Sequence, residues 1–258
     1  MKLFFQVYGD GPPLIILHGL FGVSDNWVTI GKRLAEQYRV YIPDLRNHGQ
    51  SPHSPVFDFP ALEDDLLEFI ETHELEKPVL MGHSLGGKTA MRFALHQPGM
   101  VAKLIVVDIS LRKYPHNEEH QALINAMLET DLSQVKTRGE VERRLMMRID
   151  SPRLRQFLLK NVYWMERGKL GWRLNIKAIN ENLHAVFEGV NVTGRYDGPS
   201  LFIRGGRSPY VSDEDLIVIN EKFPGAVVKT IGDATHWVHA DAPGEFFRIV
   251  SDFLLLRQ

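Results

Sequence analysis

One serine sets out the chemistry open to this chain. Ser84 lies in Gly82-His83-Ser84-Leu85-Gly86-Gly87, between the apolar run Pro78-Val79-Leu80-Met81 and a helix-like pattern of Leu85, Ala90, Met91, Ala94 and Leu95. Strand, sharp turn and helix around Gly-x-Ser-x-Gly is the sequence form of a nucleophile elbow. Backbone in so tight a turn needs small neighbours, which Gly82 and Gly86 supply, and the helix that follows aims its N-terminus at any negative charge forming beside the serine. A free hydroxyl is a weak nucleophile at neutral pH and needs a base within hydrogen-bond reach. Of 11 histidines, His236 is the first choice because it follows the last strand-like segment. His239, three residues on, is its rival. His83 reads as a shaped neighbour packed against the sheet edge. Acyl transfer through such a serine also needs two backbone N–H groups for the oxyanion. One is expected from Leu85 and the other from the loop after His18-Gly19, with Leu20 the first candidate and Phe21 the second.

The elements that must hold these residues can be read in order. Leu3 to Tyr8 reads as a first strand. Leu14-Ile15-Ile16-Leu17, Arg39-Val40-Tyr41-Ile42, Val79-Leu80-Met81 and Lys103-Leu104-Ile105-Val106-Val107-Asp108 are short and mostly apolar, as expected of strands buried on both faces. Helix patterns alternate with them: Trp27, Ile30 and Leu34, then Leu62, Leu66, Leu67 and Ile70. Such alternation implies a mostly parallel central sheet flanked by helices, with chemistry at the carboxyl ends of its strands. The rhythm breaks after Ser110. From Leu111 to about Gly198 the sequence offers helix patterns and no strand of the buried type, and Ser151-Pro152 reads as a helix start. Residues 1–110 and 199–258 are therefore expected to form the core, and 111–198 a helical cap inserted after the strand ending at Asp108. Met127, Met146, Met147, Tyr163, Trp164 and Trp172 are candidates for lining a pocket under that cap, most of them as cap core. Strands resume at 200–204 and 226–230, and a last helix begins near Pro243.

His18-Gly19-Leu20-Phe21-Gly22, Arg46-Asn47-His48-Gly49, Gly82-His83-Ser84-Leu85-Gly86-Gly87-Lys88 and His236-Trp237-Val238-His239-Ala240 stand here in an order that resembles the α/β-hydrolases. In detail they resemble the YbfF-type bacterial esterases and their eukaryotic relatives, and the resemblance covers essentially the whole chain. It implies the α/β-hydrolase fold and the hydrolysis of acyl esters, with long-chain acyl-CoA thioesters proposed as substrates in that group. It also implies that the first histidine of the late loop, His236, is the catalytic one, although Thr235 stands where the family often has glycine. Most α/β-hydrolases carry their acid in a Gly-x-x-Asp turn after the next-to-last strand; here that turn reads Gly205-Gly206-Arg207-Ser208. Serine cannot fix an imidazole tautomer and stabilise its cation as a carboxylate does. Asp108, at the exit of the strand after the elbow unit, is the expected replacement, and the resemblance points to this variant position. Asp213 and then Asp233 are the alternatives. Asp44, Arg46, Asn47 and His48 read as residues that hold their own loop. Lys88 has no role in this reading.

Composition narrows the rest. Lys and Arg total 30 against 32 Asp and Glu, a net charge of -2, which gives no electrostatic reason to expect nucleic acid or an anionic membrane as partner. With no cysteine, disulfides, thiolate metal sites and cysteine nucleophiles are excluded. His236 and His239 lack a further ligand at metal-site spacing, so neither metal nor cofactor is expected. The start of the chain has no signal-peptide core, and no segment approaches the roughly 20 apolar residues of a membrane span. The expectation is a cytoplasmic serine hydrolase acting on a small-molecule acyl ester or thioester. The alternatives are a cofactor-free lyase, a C–C bond hydrolase, or a non-catalytic small-molecule binder on the same fold.

Overall fold

A computed structural model describes residues 1–115 and 118–256. Seven strands form the central sheet: β1 (Phe5–Tyr8), β2 (Pro13–Leu17), β3 (Arg39–Pro43), β4 (Val79–His83), β5 (Lys103–Val107) and, after two intervening strands, β8 (Ser200–Gly205) and β9 (Ala226–Ile231). Their spatial order is β1-β3-β2-β4-β5-β8-β9. β1 runs antiparallel to β3, and the other pairs are parallel. The two intervening strands, β6 (Val162–Glu166) and β7 (Lys169–Trp172), pair with each other as a separate antiparallel hairpin.

The apolar runs form central strands because both sides of each are covered. Leu17, Leu80, Leu104 and Val106 face one core cluster, and Leu14, Ile16, Met81, Ile105 and Val107 face another, the period-two alternation of extended chain. The first cluster is closed by α2 (Phe59–Thr72) and α3 (Leu85–His96), the second by α1 (Val28–Leu34) and α11 (Pro243–Leu255), which contribute residues such as Leu66, Met91, Ile30 and Val250. Asp58 caps α2 by accepting the Ala61 N–H at 2.9 Å, satisfying one of the N–H groups a helix start leaves open.

Strand register places the polar ends. His83 of β4 is level with Val107 of β5, and Val107 with Ile203 of β8. Ser84 N–H donates to the Val107 carbonyl at 3.1 Å and Asp108 N–H to the Ile203 carbonyl at 2.8 Å, so residues 84, 108 and 205 leave three adjacent strands at one edge. Between β5 and β8 lie α4 (Glu118–Glu129), α5 (Arg138–Met146), α6 (Pro152–Leu159), the β6–β7 hairpin, α7 (Ile176–Glu181) and α8 (Leu183–Phe187). Ser151 caps α6, with Pro152 in its first turn. The ends of this segment are tied together by Tyr114 N–H to the Phe187 carbonyl at 2.8 Å and Val190 N–H to the Leu111 carbonyl at 2.7 Å. α9 (Asp215–Lys222) links β8 to β9, and the short α10 (Val238–Asp241) precedes α11.

The hairpin adds two partly exposed strands to a segment in which the sequence offers helix patterns and no strand of the buried type. Arg167-Gly168 forms its two-residue turn, with Gly168 at φ 82°, where glycine is favoured.

Candidate active site

Ser84 sits at φ 52°, in the left-handed region that a non-glycine residue occupies only when its surroundings impose it. The packing shows what imposes it: a Cβ on Gly82 would lie 2.2 Å from the Gly86 carbonyl oxygen, and one on Gly86 2.4 Å from that of Leu17. Helix α3 is thus pressed onto the sheet as closely as backbone allows, and the chain must turn sharply at Ser84 to enter it.

His236 follows β9 and meets a carboxylate. Its Nδ1–H donates to Asp108 Oδ2 at 2.8 Å, leaving Nε2 as the basic nitrogen. Asp108 is 1% exposed and also accepts the Gly205 N–H at 2.8 Å on Oδ1 and the Ser208 hydroxyl on Oδ2. The serine in the usual acid turn therefore donates to the carboxylate carried by the neighbouring strand. The Tyr210 ring stacks on the His236 imidazole, centroids 4.0 Å apart and planes 23° apart. The alternative acids lie elsewhere. Asp213 is exposed and pairs with Arg204 at 2.7 Å, and Asp233 is exposed.

Four buried histidines around the site, His239, His83, His18 and His48, are held neutral and act as scaffold. His239 stacks on Trp27 at 4.1 Å and has no carboxylate partner among the described residues; burial drops its pKa to about 3. Burial, reinforced by the nearby His236 and His239, holds the His83 imidazole well below its ordinary range, and its Nε2–H donates to the His236 carbonyl at 2.9 Å, fixing the backbone of the late loop. His18 and His48 are both buried, with pKa values pushed down to about 4 and about 3. His18 Nδ1–H donates to the Gly19 carbonyl and its Nε2 accepts the Leu45 N–H at 3.0 Å. His48 Nδ1–H donates to the Arg46 carbonyl and its Nε2 accepts the Phe21 N–H at 3.2 Å.

That last bond engages the N–H of one of the two oxyanion candidates. The Phe21 N–H is spent on His48, whereas the Leu20 and Leu85 N–H groups have no acceptor among the described residues. Gly19 holds the two loops together: a Cβ there would come within 2.9 Å of His83 Nδ1 and 3.3 Å of Ser84 Cβ. The loop from Asp44 to Ser51 is tied down by its own polar groups. Asp44 accepts the Ser24 and Gln50 N–H groups at 2.6 and 2.9 Å, and Arg46 forms a two-bond pair with the buried Asp65 at 2.5 and 2.8 Å.

Ser84, His236, Leu20 and Phe21 line one partly open cleft of about 750 Å³ of atom-free space, its solvent mouth included. A mixture of polar and apolar lining at this size suits a small organic substrate. Leu123, Leu154 and Phe157 of residues 111–198 line the cleft together with Tyr210 and Trp237, whose ring meets that of Phe157 edge-on at 4.3 Å. The six apolar residues singled out in the sequence do not line it. Met127 is buried, while Met146, Met147 and Trp164 are half or more exposed. Tyr163 and Trp172 are half-buried. Met127 lies on α4, Met146 and Met147 at the end of α5, and Tyr163, Trp164 and Trp172 on the hairpin, and the direction of these elements keeps all six out of the cleft lining. Lys88 is 1% exposed. Its ammonium donates to the Glu188 carbonyl and lies over the Tyr114 ring at 4.7 Å, and burial brings its pKa down to about 7.

A largely parallel sheet, a strained serine between strand and helix, and a carboxylate-bound histidine after the last strand define an α/β hydrolase. The comparisons agree. A family model described as the alpha/beta hydrolase fold matches residues 12–140. The chain is 33% identical to the esterase YbfF of Escherichia coli, covering 95% of this chain and 94% of that protein. It is 39% identical to an sn-1-specific diacylglycerol lipase of Danio rerio, covering 97% of this chain and 80% of that one. Among solved structures, a marine microorganism esterase superposes with a TM-score of 0.94 at 42% identity, over 98% of this chain and 99% of the other. The chain belongs to the α/β-hydrolase superfamily and, within it, to the YbfF-type esterase group. Among the described residues, no helix is long and apolar enough to cross a membrane.

Proposed function

We propose that this protein is a serine hydrolase that cleaves acyl esters, thioesters included, through an acyl-enzyme on Ser84. The observation that carries the reading is the 2.8 Å bond from His236 Nδ1–H to the buried Asp108 carboxylate, in the cleft that Ser84 also lines. A carboxylate on Nδ1 keeps Nε2 unprotonated and stabilises the imidazolium once a proton arrives. Ser84 Oγ attacks the carbonyl carbon while His236 Nε2 takes its proton. The oxyanion is held by the Leu20 N–H of the loop after β2 and the Leu85 N–H at the N-terminus of α3. The C–O or C–S bond then breaks, and the imidazolium returns its proton to the leaving alcohol or thiol. Water, deprotonated by the same histidine, attacks the acyl-enzyme and releases the carboxylic acid and Ser84.

Residues 111–198 act in this reading as a cap that shapes the acyl site through Leu123, Leu154 and Phe157. The esterase and lipase names of the relatives support an ester substrate, and the apolar cleft wall supports an acyl chain. Chromogenic acyl esters of graded length, together with the matching thioesters, test the proposal. Turnover that depends on Ser84 is expected; no turnover of any ester or thioester overturns the hydrolase reading in favour of a lyase, C–C hydrolase or binder.

A further inference from the structure

The inserted segment reaches the loop after β2 through one fully buried side chain. Asn161, just past the end of α6, is 0% exposed. Its Nδ2 donates to the Phe21 carbonyl at 2.8 Å, across 140 positions of sequence. Its Oδ1 is buried without a hydrogen-bond partner among the described residues. The other amide orientation would set Oδ1 against the Phe21 carbonyl, so the donor contact fixes the one drawn. An apolar residue of similar volume would avoid stranding a buried acceptor; what the asparagine adds is the bond to Phe21.

Phe21 needs holding. It is a bulky residue at φ 60°, a conformation that β-carbon-bearing residues leave unless constrained. His48 holds its N–H and Asn161 its carbonyl, and the peptide plane before this clamped residue joins it to Leu20, whose N–H is the loop's donor to the oxyanion. Asn161 is fixed in turn: its N–H donates to the Leu158 carbonyl at 2.9 Å and its carbonyl accepts the Arg173 N–H at 2.8 Å. α6 also carries Leu154 and Phe157 into the cleft, so the helix that lines the cleft leads directly into the clamp.

We infer that Asn161 is a positioning residue for the reaction: by locking the left-handed backbone of Phe21, it sets the Leu20 N–H for the oxyanion and makes the hole dependent on the inserted segment. The inference rests on the Ser84 acyl-enzyme reading. It differs from a general packing role because it concerns only states with a tetrahedral centre at Ser84. Removing the clamp misplaces an oxyanion donor without removing it, so a loss of about 10- to 100-fold in kcat is expected, with KM changed by less than about threefold.

The test uses the full chain as Asn161→Ala and as Asn161→Asp, the latter nearly isosteric but unable to donate to a carbonyl. kcat and KM are measured on a short chromogenic acyl ester. Inhibition is measured with phenylboronic acid, whose boron bonds to Ser84 Oγ and gives a tetrahedral adduct. The expected result is that the boronic-acid inhibition constant rises by the same factor as kcat/KM falls. Unchanged kinetics in both variants overturn the inference, as does a loss confined to KM with boronic-acid affinity intact. Phe21→Gly provides a second arm that holds even if Asn161→Ala alone misfolds, since glycine adopts positive φ freely. In that background Asn161→Ala should cost less than threefold in kcat relative to Phe21→Gly alone; a further loss of tenfold or more overturns the inference. Labelling of the unmodified protein by a fluorophosphonate keeps the two readings apart. No label at Ser84 defeats the acyl-enzyme proposal, whereas a labelled Ser84 with insensitive Asn161 variants defeats this inference alone.

Discussion

Asp108→Asn isolates the contribution of the carboxylate with little disturbance to the fold. Asparagine is among the residues that best tolerate positive φ, and position 108 sits at φ 52°. The amide oxygen would keep the Gly205 N–H, which must find an acceptor. That leaves the amide NH₂ where Oδ2 now meets both Ser208 and His236. The Ser208 hydroxyl can rotate to accept from it. His236 can meet it only by presenting a bare Nδ1, which moves the ring proton to Nε2 and removes the base from Ser84. A wrong-tautomer histidine of this kind costs about 10⁴-fold in kcat, or about 5.5 kcal/mol. The assay is kcat on a short chromogenic ester, with thermal unfolding as the control for folding. A second substitution sharpens it: Ser208 already touches the oxygen that His236 binds, so Ser208→Asp in the Asp108→Asn background should restore at least tenfold. Asp108→Asn retaining more than a tenth of wild-type kcat while folded would refute the assignment of the acid.

Three further outcomes follow from other groups. Asp213→Asn should change kcat by less than about twofold, because its partner is Arg204 at the surface; a loss of several decades would transfer the acid role to it. His18, His48 and His239 are held neutral by burial, with folded pKa values near 4, 3 and 3 against an ordinary 6.5. The unfolded chain therefore binds protons that the folded chain refuses, and stability should fall as pH drops from about 6.5 toward 4, by about 1.4 kcal/mol per pH unit for each such histidine. Urea unfolding at pH 7 and pH 5 checks this, and an unchanged midpoint would contradict it. Lys88 has a folded pKa lowered to about 7, so wild-type stability should rise with pH between about 7 and 10.5; Lys88→Met should lack that contribution to the slope, and identical slopes would show that the buried ammonium keeps its charge.

The features legible in the sequence are those whose physics is local. Leu14 to Leu17 and Leu104 to Val107 read as central strands because burial on both faces demands continuous apolar chain. The elbow at Ser84 was legible because its strain requires Gly82 and Gly86 within a few residues. Ser151-Pro152 marked α6 for a similar reason, since a cap and a first-turn proline are neighbours in sequence. The proposed acid is harder to read. Asp108 and His236 meet because β5, β8 and β9 are neighbours in the sheet, and strand order is not written in any one strand, so the sequence alone leaves Asp213 and Asp233 as candidates beside Asp108. The same holds for Leu20 against Phe21, where the contact that bears on the proposal comes from the distant His48. The hairpin at 162–172 has Arg167-Gly168 between aromatic-rich runs as its one local signal, and its short, partly exposed strands lack the continuous apolar run that marks a buried strand. Asn161 had no local signal, because its partner lies 140 positions away.

The central claim, an acyl-enzyme on Ser84, is tested most directly by mass spectrometry of the protein acid-quenched during turnover of a short acyl ester. The account predicts one acyl mass on the peptide bearing Ser84, absent from Ser84→Ala, whose kcat falls by about six decades. Steady hydrolysis with an acyl group on another residue, or undiminished turnover by Ser84→Ala, would contradict it.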